Sequence, residues 1–250
     1  MSKFGSSSIL LLVDGYDMSV NKLQGLNYKI QSITEPTHGI GDSWEENTPV
    51  GLSRAELTQE GAFFDSSTSG GFLHVLNSTT IGGQSPSSTG KVVCIGVAGN
   101  TTGKPFVGFK GELVQDYEVL GSVGKLTRAN VSYVVTGNAE HGTIIRPVTT
   151  TTASVTSYLD NSAQTTNGGS AYVQVTAITN LVSTGITIVI SDAAASSGTY
   201  VAIGTVTTTG IGGWQVATTD NTIGRWLSAA VNVTTSGCPS LTCFVGYSRL

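Results

Sequence analysis

Charge is scarce in this chain. Of 250 residues only 28 carry a formal charge, 16 Asp or Glu and 12 Lys or Arg, for a net of −4. A protein that neutralises a run of phosphates needs clustered Lys and Arg. No such excess exists, so a basic nucleic-acid binder is excluded as the leading reading. Long apolar runs are absent too. The longest, Ile9 to Val13, has five residues, against the about 20 that a membrane-spanning helix requires. That run is also short for the apolar part of an export signal and only Lys3 precedes it, so the mature chain is expected to start near Met1. Cysteine is limited to three. Cys238 and Cys243 lie in CPSLTC, spaced too widely for a zinc knuckle or a redox pair, and Cys94 sits in the apolar run KVVCIGV. No disulfide framework follows. Reduced thiols are the first expectation and a Cys238–Cys243 bridge the alternative.

Catalytic groupings are equally thin. A nucleophilic site needs a nucleophile, a base and an orienting group. Histidine occurs only at His38, His74 and His141, and no G-x-S-x-G elbow is present. His38, Asp42, Glu45 and Glu46 form the one metal-like grouping, but their spacing matches no ligand pattern, and a solvated or partner-facing acidic loop is the better reading. Glycosidase carboxylate pairs are defined by separation in space, which sequence does not show. Gly99 to Lys104 lacks the spacing of a phosphate-binding loop and precedes the strand-like Phe106-Val107-Gly108-Phe109, so it reads as a hairpin turn. The chain is not expected to be an enzyme, nor to need a cofactor or metal.

What the chain has in quantity is Gly, Ser and Thr: 32, 29 and 35 residues. Hydrophobic residues at 39% suffice for a core, which argues against disorder. Residues 1–151 hold 23 of the 28 charges. The change falls at Pro147 to Thr152, a Pro followed by β-branched residues that suits a connecting strand or linker. Two regions are expected, 1–148 and 149–250. In the first, Leu26, Tyr28 and Ile30 alternate with polar neighbours, as do Ala55 and Leu57, and then Val131, Tyr133 and Val135. This period of two marks half-buried strands. Thr34 to Leu52, rich in Gly, Pro and Asp, reads as a long structureless loop, which in a compact domain is usually functional. Gly71 to Asn77 reads as a short helix. In the second region, strands are expected near 170–178, 185–191, 199–206, 213–217, 225–233 and 241–247, a spacing typical of a sandwich or barrel. The fold class is therefore all-β with one short helix. A β protein with six Pro, and no Lys after residue 125, leaves sheet edges unprotected; assembly with other copies is favoured over a lone monomer.

Leu12-Val13-Asp14-Gly15-Tyr16-Asp17-Met18-Ser19, Ile40-Gly41-Asp42-Ser43-Trp44, Thr48-Pro49-Val50-Gly51-Leu52 and Leu57-Thr58-Gln59-Glu60-Gly61-Ala62-Phe63-Phe64-Asp65 follow one another in that order along the chain. These segments resemble the tail tube proteins (major tail proteins) of long-tailed bacteriophages. Phe109 to Tyr117 and Leu126 to Tyr133 are similar to the family's later strands, and Arg225 to Arg249 to the end of some larger members. The likeness covers roughly residues 9–136. It implies a β-sandwich or barrel with one flanking helix, assembled into stacked rings of six-fold or pseudo-six-fold symmetry, as hexamers or trimers, around a channel for DNA ejection. The implied location is the virion tail, after synthesis in the host cytoplasm. The implied partners are the chain itself, the tail terminator, tape measure and distal tail proteins, and double-stranded DNA in non-specific passage, with no membrane. The loop 34–52 resembles the one reaching an adjacent ring, with Asp42, Ser43, Trp44, Glu45 and Glu46 as its contact residues. Glu56, Glu60, Glu112, Asp116 and Glu118 lie on strand-like segments and are the candidate lumen-facing acids; an acidic or neutral lining would let a duplex slide. Residues 149–250 read either as a second tube-type domain or as a peripheral sandwich. The alternative function is a carbohydrate- or cell-surface-binding decoration of the virion, with Trp214 and Trp226 as sugar platforms.

Overall fold

A computed structural model describes residues 9–21, 25–36, 47–63, 91–125, 128–135, 139–179, 185–218, 222–233 and 240–249. The expected helix at 71–77 lies outside them. Among the described residues the chain is all-β apart from one 3-10 turn at Met18–Asn21. The first half supplies β1 (Leu10–Val13), β2 (Tyr16–Asp17), β3 (Gly25–Pro36), β4 (Asn47–Phe63), β5 (Lys91–Gly96), β6 (Pro105–Leu120) and β7 (Arg128–Val135). Next come β8 (Glu140–Thr151), β9 (Val155–Asp160), β10 (Gly169–Thr179), β11 (Ile186–Ala193), β12 (Val201–Thr208), β13 (Gly212–Ala217), β14 (Trp226–Asn232) and β15 (Ser240–Arg249). The six strands expected after residue 169 are all present. The loop expected over 34–52 is shorter than its composition suggests: β3 runs on to Pro36 and β4 starts at Asn47, with Thr34 opposite Pro49. Gly and Pro mark that stretch, but cross-strand pairing holds its two ends extended. Gly99 to Lys104 joins β5 to β6, which pair antiparallel as a hairpin.

Eight strands form one path, β13-β10-β15-β8-β6-β5-β1-β2, and a four-stranded sheet runs β12-β11-β14-β9. The long path curls until its ends almost meet. The β1–β2 turn lies against β10 and β13, close enough that a Cβ on Gly15 would be 2.4 Å from Val175 O and 2.5 Å from Gly212 N. The residue-148 boundary falls inside β8, which pairs with β6 at one end and with β15 along most of its length. Strands from both sides of that position thus share a single sheet.

Three apolar clusters fill the layers. Leu10, Leu12, Val92, Cys94, Phe106, Ile144, Tyr172 and Phe244 occupy the inside of the curled sheet. The opposite face of β1, β5 and β6 gives Leu11, Val13, Val93, Ile95, Val107 and Phe109, which pack with Ala55, Leu57, Val131 and Tyr133 of β4 and β7. The outer face of β10 and β15 packs Val173, Val175, Val245 and Tyr247 against Ile188, Ile190, Leu227 and Ala229 of the four-stranded sheet. β1 and β5 are buried at every position, and β15 at most. This explains why LLLV and KVVCIG show no alternation: strands covered on both faces read as continuous apolar runs.

Large rings inside the curled sheet are accommodated by glycines opposite them. A Cβ on Gly108 would come within 2.6 Å of the Tyr172 ring, and one on Gly246 within 2.5 Å of Phe106. At Gly142 it would meet Phe106 at 2.5 Å and the Tyr247 carbonyl at 2.3 Å, and a carbonyl held between paired strands cannot give way. Gly142→Ala is expected to cost about 2–3 kcal/mol by overpacking, measured as a shift of the urea midpoint at unchanged slope.

Candidate assembly face

β6 is long enough to serve two sheets. Its first residues, Pro105 to Gly108, pair with β8 inside the curled sheet, while Glu112 to Leu120 pair with β7. β7 pairs with β4 and β4 with β3, giving a side sheet β6-β7-β4-β3. One face of it covers the apolar cluster, through Ala55 and Leu57 on β4 and Val131, Tyr133 and Val135 on β7. The other face is polar. Its rows are Lys29–Glu56–Val134, Asn27–Thr58–Ser132–Asp116 and Asn130–Glu118, with Glu60 opposite Gly25.

The candidate acids separate on this register. Glu56 is half-buried, Glu60 and Glu118 are exposed, and Asn130 Nδ2 donates to Glu118 Oε2 at 3.4 Å. Asp116 holds a register position in the same rows. Glu112 does not, because it stands opposite Val135 and Lys91, both buried. Lys29 and Arg128 belong to the polar rows as well, so the face is mixed in sign and rich in hydroxyl and amide groups. Asp42, Ser43, Trp44, Glu45 and Glu46 lie outside the described residues.

β3 is the outer strand of this sheet. Along Gly25–Pro36 its second edge has no strand partner among the described residues. Ile30, opposite buried Ala55, stays 47% exposed at that edge. Beyond Ala55, which pairs with Val135, β4 continues to Asn47 with β3 as its only strand neighbour among the described residues. The two strands therefore extend past the sheet as a ribbon roughly 20 Å long. An isolated two-stranded ribbon is marginal in water.

The V-D-G-Y-D segment is structural in this chain. Asp14 and Gly15 both take positive φ, 48° and 82°, as the tight turn between β1 and β2 demands. Asp14 Oδ1 accepts from Val92 N–H at 3.0 Å, and Oδ2 lies 3.4 Å from Lys91 Nζ. Asp17 Oδ1 accepts from Ser19 N–H at 3.0 Å and starts the 3-10 turn.

Two polar groupings escaped the sequence reading. Gln174, fully buried on β10, takes a hydrogen bond from Gly15 N–H at 2.5 Å and donates to Val92 O at 2.9 Å. Glu140 Oε1 accepts from Gln215 Nε2 at 2.8 Å and Ser170 Oγ at 3.3 Å, while its buried Oε2 has no hydrogen-bond partner among the described residues. Burial raises the Glu140 carboxyl above the usual glutamate range, partly offset by bonds from Ser170, Tyr172 and Gln215 and by the Lys110 charge. The folded state thus holds this proton more tightly than the unfolded chain does. The associated stability is complete below the unfolded value near 4.5 and falls as pH rises through the folded one. Thermal melts across pH 4–8 should show the wild type losing stability relative to Glu140→Gln as pH rises.

Cys94 and Cys243 are buried free thiols, and burial pushes the Cys94 thiol up to about 12. Cys238 lies outside the described residues. Among the described residues no three His, Cys, Asp or Glu side chains gather as a metal site, and no helix is long and apolar enough to cross a membrane. Trp214 packs half-buried against the second-half core, while Trp226 sits at the outer face of the four-stranded sheet with the Arg225 guanidinium 5.5 Å over its ring.

No protein-family model matches the chain, and no curated protein does. Among solved structures it is similar to the tail of an empty gene transfer agent particle and to a chain of the native gene transfer agent virion. Each is 9% identical over 55% of this chain and 97% of the other, with a TM-score of 0.39. It is also similar to SPP1 Dit, a hub protein of the adsorption apparatus of phages infecting Gram-positive hosts, at 12% identity over 96% of this chain and 99% of that one, with a TM-score of 0.29.

Proposed function

We propose that this chain is a structural, non-enzymatic virion protein that joins copies of itself into stacked rings, forming the tail tube through which DNA is ejected. The observation that carries this reading is the β3–β4 ribbon. A strand of 12 residues whose second edge has no partner among the described residues, continued as a two-stranded arm beyond its own sheet, is poorly supported by the rest of those residues. Pairing β3 with the neighbouring copy would satisfy that edge, and seating the arm on the next ring would support its tip. Trp44 would be the tip's anchor. The order of the tail-tube-like motifs supports the same reading. The mixed polar face carrying Glu56, Glu60, Asp116 and Glu118 would line the channel, since it offers a duplex no continuous basic track to bind. The tape measure, terminator and distal tail proteins would then be its partners in the virion.

Negative-stain microscopy and light scattering of the purified protein over a concentration series test this. Rings or tubes of uniform diameter are expected. A protein that stays monomeric at every concentration would overturn the proposal.

A further inference from the structure

The four-stranded sheet has an outer face that neither the cores nor the β3–β4 ribbon uses. Leu227, Ala229 and Val231 of β14 point into the core, so Trp226 and Ser228 belong to the opposite face. Pairing sets two rows on that face, Tyr158–Ser228–Ser191–Ala202 and Asp160–Trp226–Ala193. Tyr158 stands on the edge strand β9 and is 58% exposed. Tyr200 stands just before the other edge strand, β12. Their rings meet edge to face with centroids 5.4 Å apart. They reach towards each other across the two middle strands, where Ser228 and Ser191, at 3% and 9% exposure, are covered although they lie on the outer side. In the adjoining row Asp160 and Arg225 form a two-pronged pair, Nε to Oδ1 at 2.6 Å and NH2 to Oδ2 at 2.5 Å, and the same guanidinium caps Trp226.

We infer that this patch of Tyr158, Tyr200, Trp226, Asp160 and Arg225 is a binding site for a neutral pyranose glycan. A sugar ring has an apolar C–H face and an equatorial belt of hydroxyls, so it needs an exposed aromatic ring beside planar groups that accept and donate in pairs. The tyrosine rings supply the first, and an aromatic body with a polar tip contributes contact area at low entropic cost. Asp160 and Arg225 supply the second. Because they neutralise each other, the patch carries no net charge, which selects an uncharged sugar over an anionic one. The next row of this face, Thr156–Ala230–Val189–Thr205, offers only Val189 and Ala230 as apolar groups, too little for the apolar centre of a protein interface. Trp214 packs against the core and the Arg225 guanidinium covers one face of Trp226, so the exposed ring of the patch is Tyr158. The site lies on the four-stranded sheet, which among the described residues shares no paired strand with β3.

The test is titration of the full-length protein with maltohexaose, cellohexaose and chitohexaose, followed by calorimetry and by perturbation of tyrosine resonances. At least one oligosaccharide is expected to bind weakly, with Tyr158→Ala lowering its affinity about tenfold and Tyr158→Phe retaining most of it. Tyr158→Ala is expected to assemble like the wild type, so loss of glycan binding and loss of rings are separate outcomes. No binding by any of the three sugars, binding that survives Tyr158→Ala, or rings that fail in Tyr158→Ala would each overturn the inference, the last by making the patch a contact between copies.

Discussion

Replacing Gln174 by Leu is expected to lower stability by about 3 kcal/mol, because it strands a buried backbone N–H. Gln174 is fully buried, and its amide is the polar link across the closure of the curled sheet. Its oxygen takes the Gly15 N–H, and its nitrogen reaches Val92 O and lies 3.6 Å from Cys94 Sγ. Leu has nearly the same volume, so packing is roughly kept while both bonds go. The two orphaned groups are not equal. Val92 O still accepts from Asp14 N–H at 3.0 Å. Gly15 N–H has no second acceptor among the described residues, and it has little room to move, because even a Cβ added there would lie 2.4 Å from Val175 O on β10 and 2.5 Å from Gly212 N on β13. The loss therefore concentrates on one donor. In a chain of this size it should appear as a fall in melting temperature of about 6–12 °C. A companion Cys94→Ala variant should lose far less, since the thiol is the weakest of the three contacts. Equal losses from the two variants would show that volume rather than the hydrogen bonds matters at this site.

That residue also marks the limit of what the sequence discloses. The strand around Gln174 is legible, since turn signals bound a β-rich run. Its partner, however, is 159 positions away in a β1–β2 turn, and nothing in the local pattern of either segment points to the other. Glu140 is hidden for the same reason: Ser170 and Gln215 come to it from β10 and β13, which no short-range rule places beside β8. Alternation recovered β3, β4 and β7 because each has one wet face. It was silent about β1 and β5, which are covered on both sides. Composition exaggerated the 34–52 loop, since Pro36 and Pro49 break patterns that cross-strand pairing nevertheless sustains. Charge density drew a line at residue 148 where the backbone runs straight through β8. The acids of the side sheet could be assigned to strands by eye, but the parity that separates Glu112 from Glu56, Glu60 and Glu118 depends on the irregular register between Val114 and Asp116.

Ile30→Lys is expected to abolish assembly while leaving the subunit folded. Ile30 lies on the core-side row of β3, opposite Ala55, yet at the unpaired border of the sheet it remains about half exposed. In a lone subunit a lysine there can bend its ammonium into water over the open edge, so the expected change in subunit stability is within about 1 kcal/mol. When β3 pairs with a second copy, the same position becomes interior to a continuous sheet and the ammonium loses that escape. An unpaired charge so enclosed costs about 3 kcal/mol or more at each contact, equivalent to over about a hundredfold in association. An inward charge on an edge strand is the device by which natural sheets avoid joining one another. Ile30→Thr, β-branched and neutral, should keep most of the assembly. Circular dichroism would confirm that both variants fold, and sedimentation velocity would read the oligomers. If Ile30→Lys forms rings as readily as the wild type, the β3 edge is not where copies meet, and the arm or the opposite side of the molecule must carry the contact.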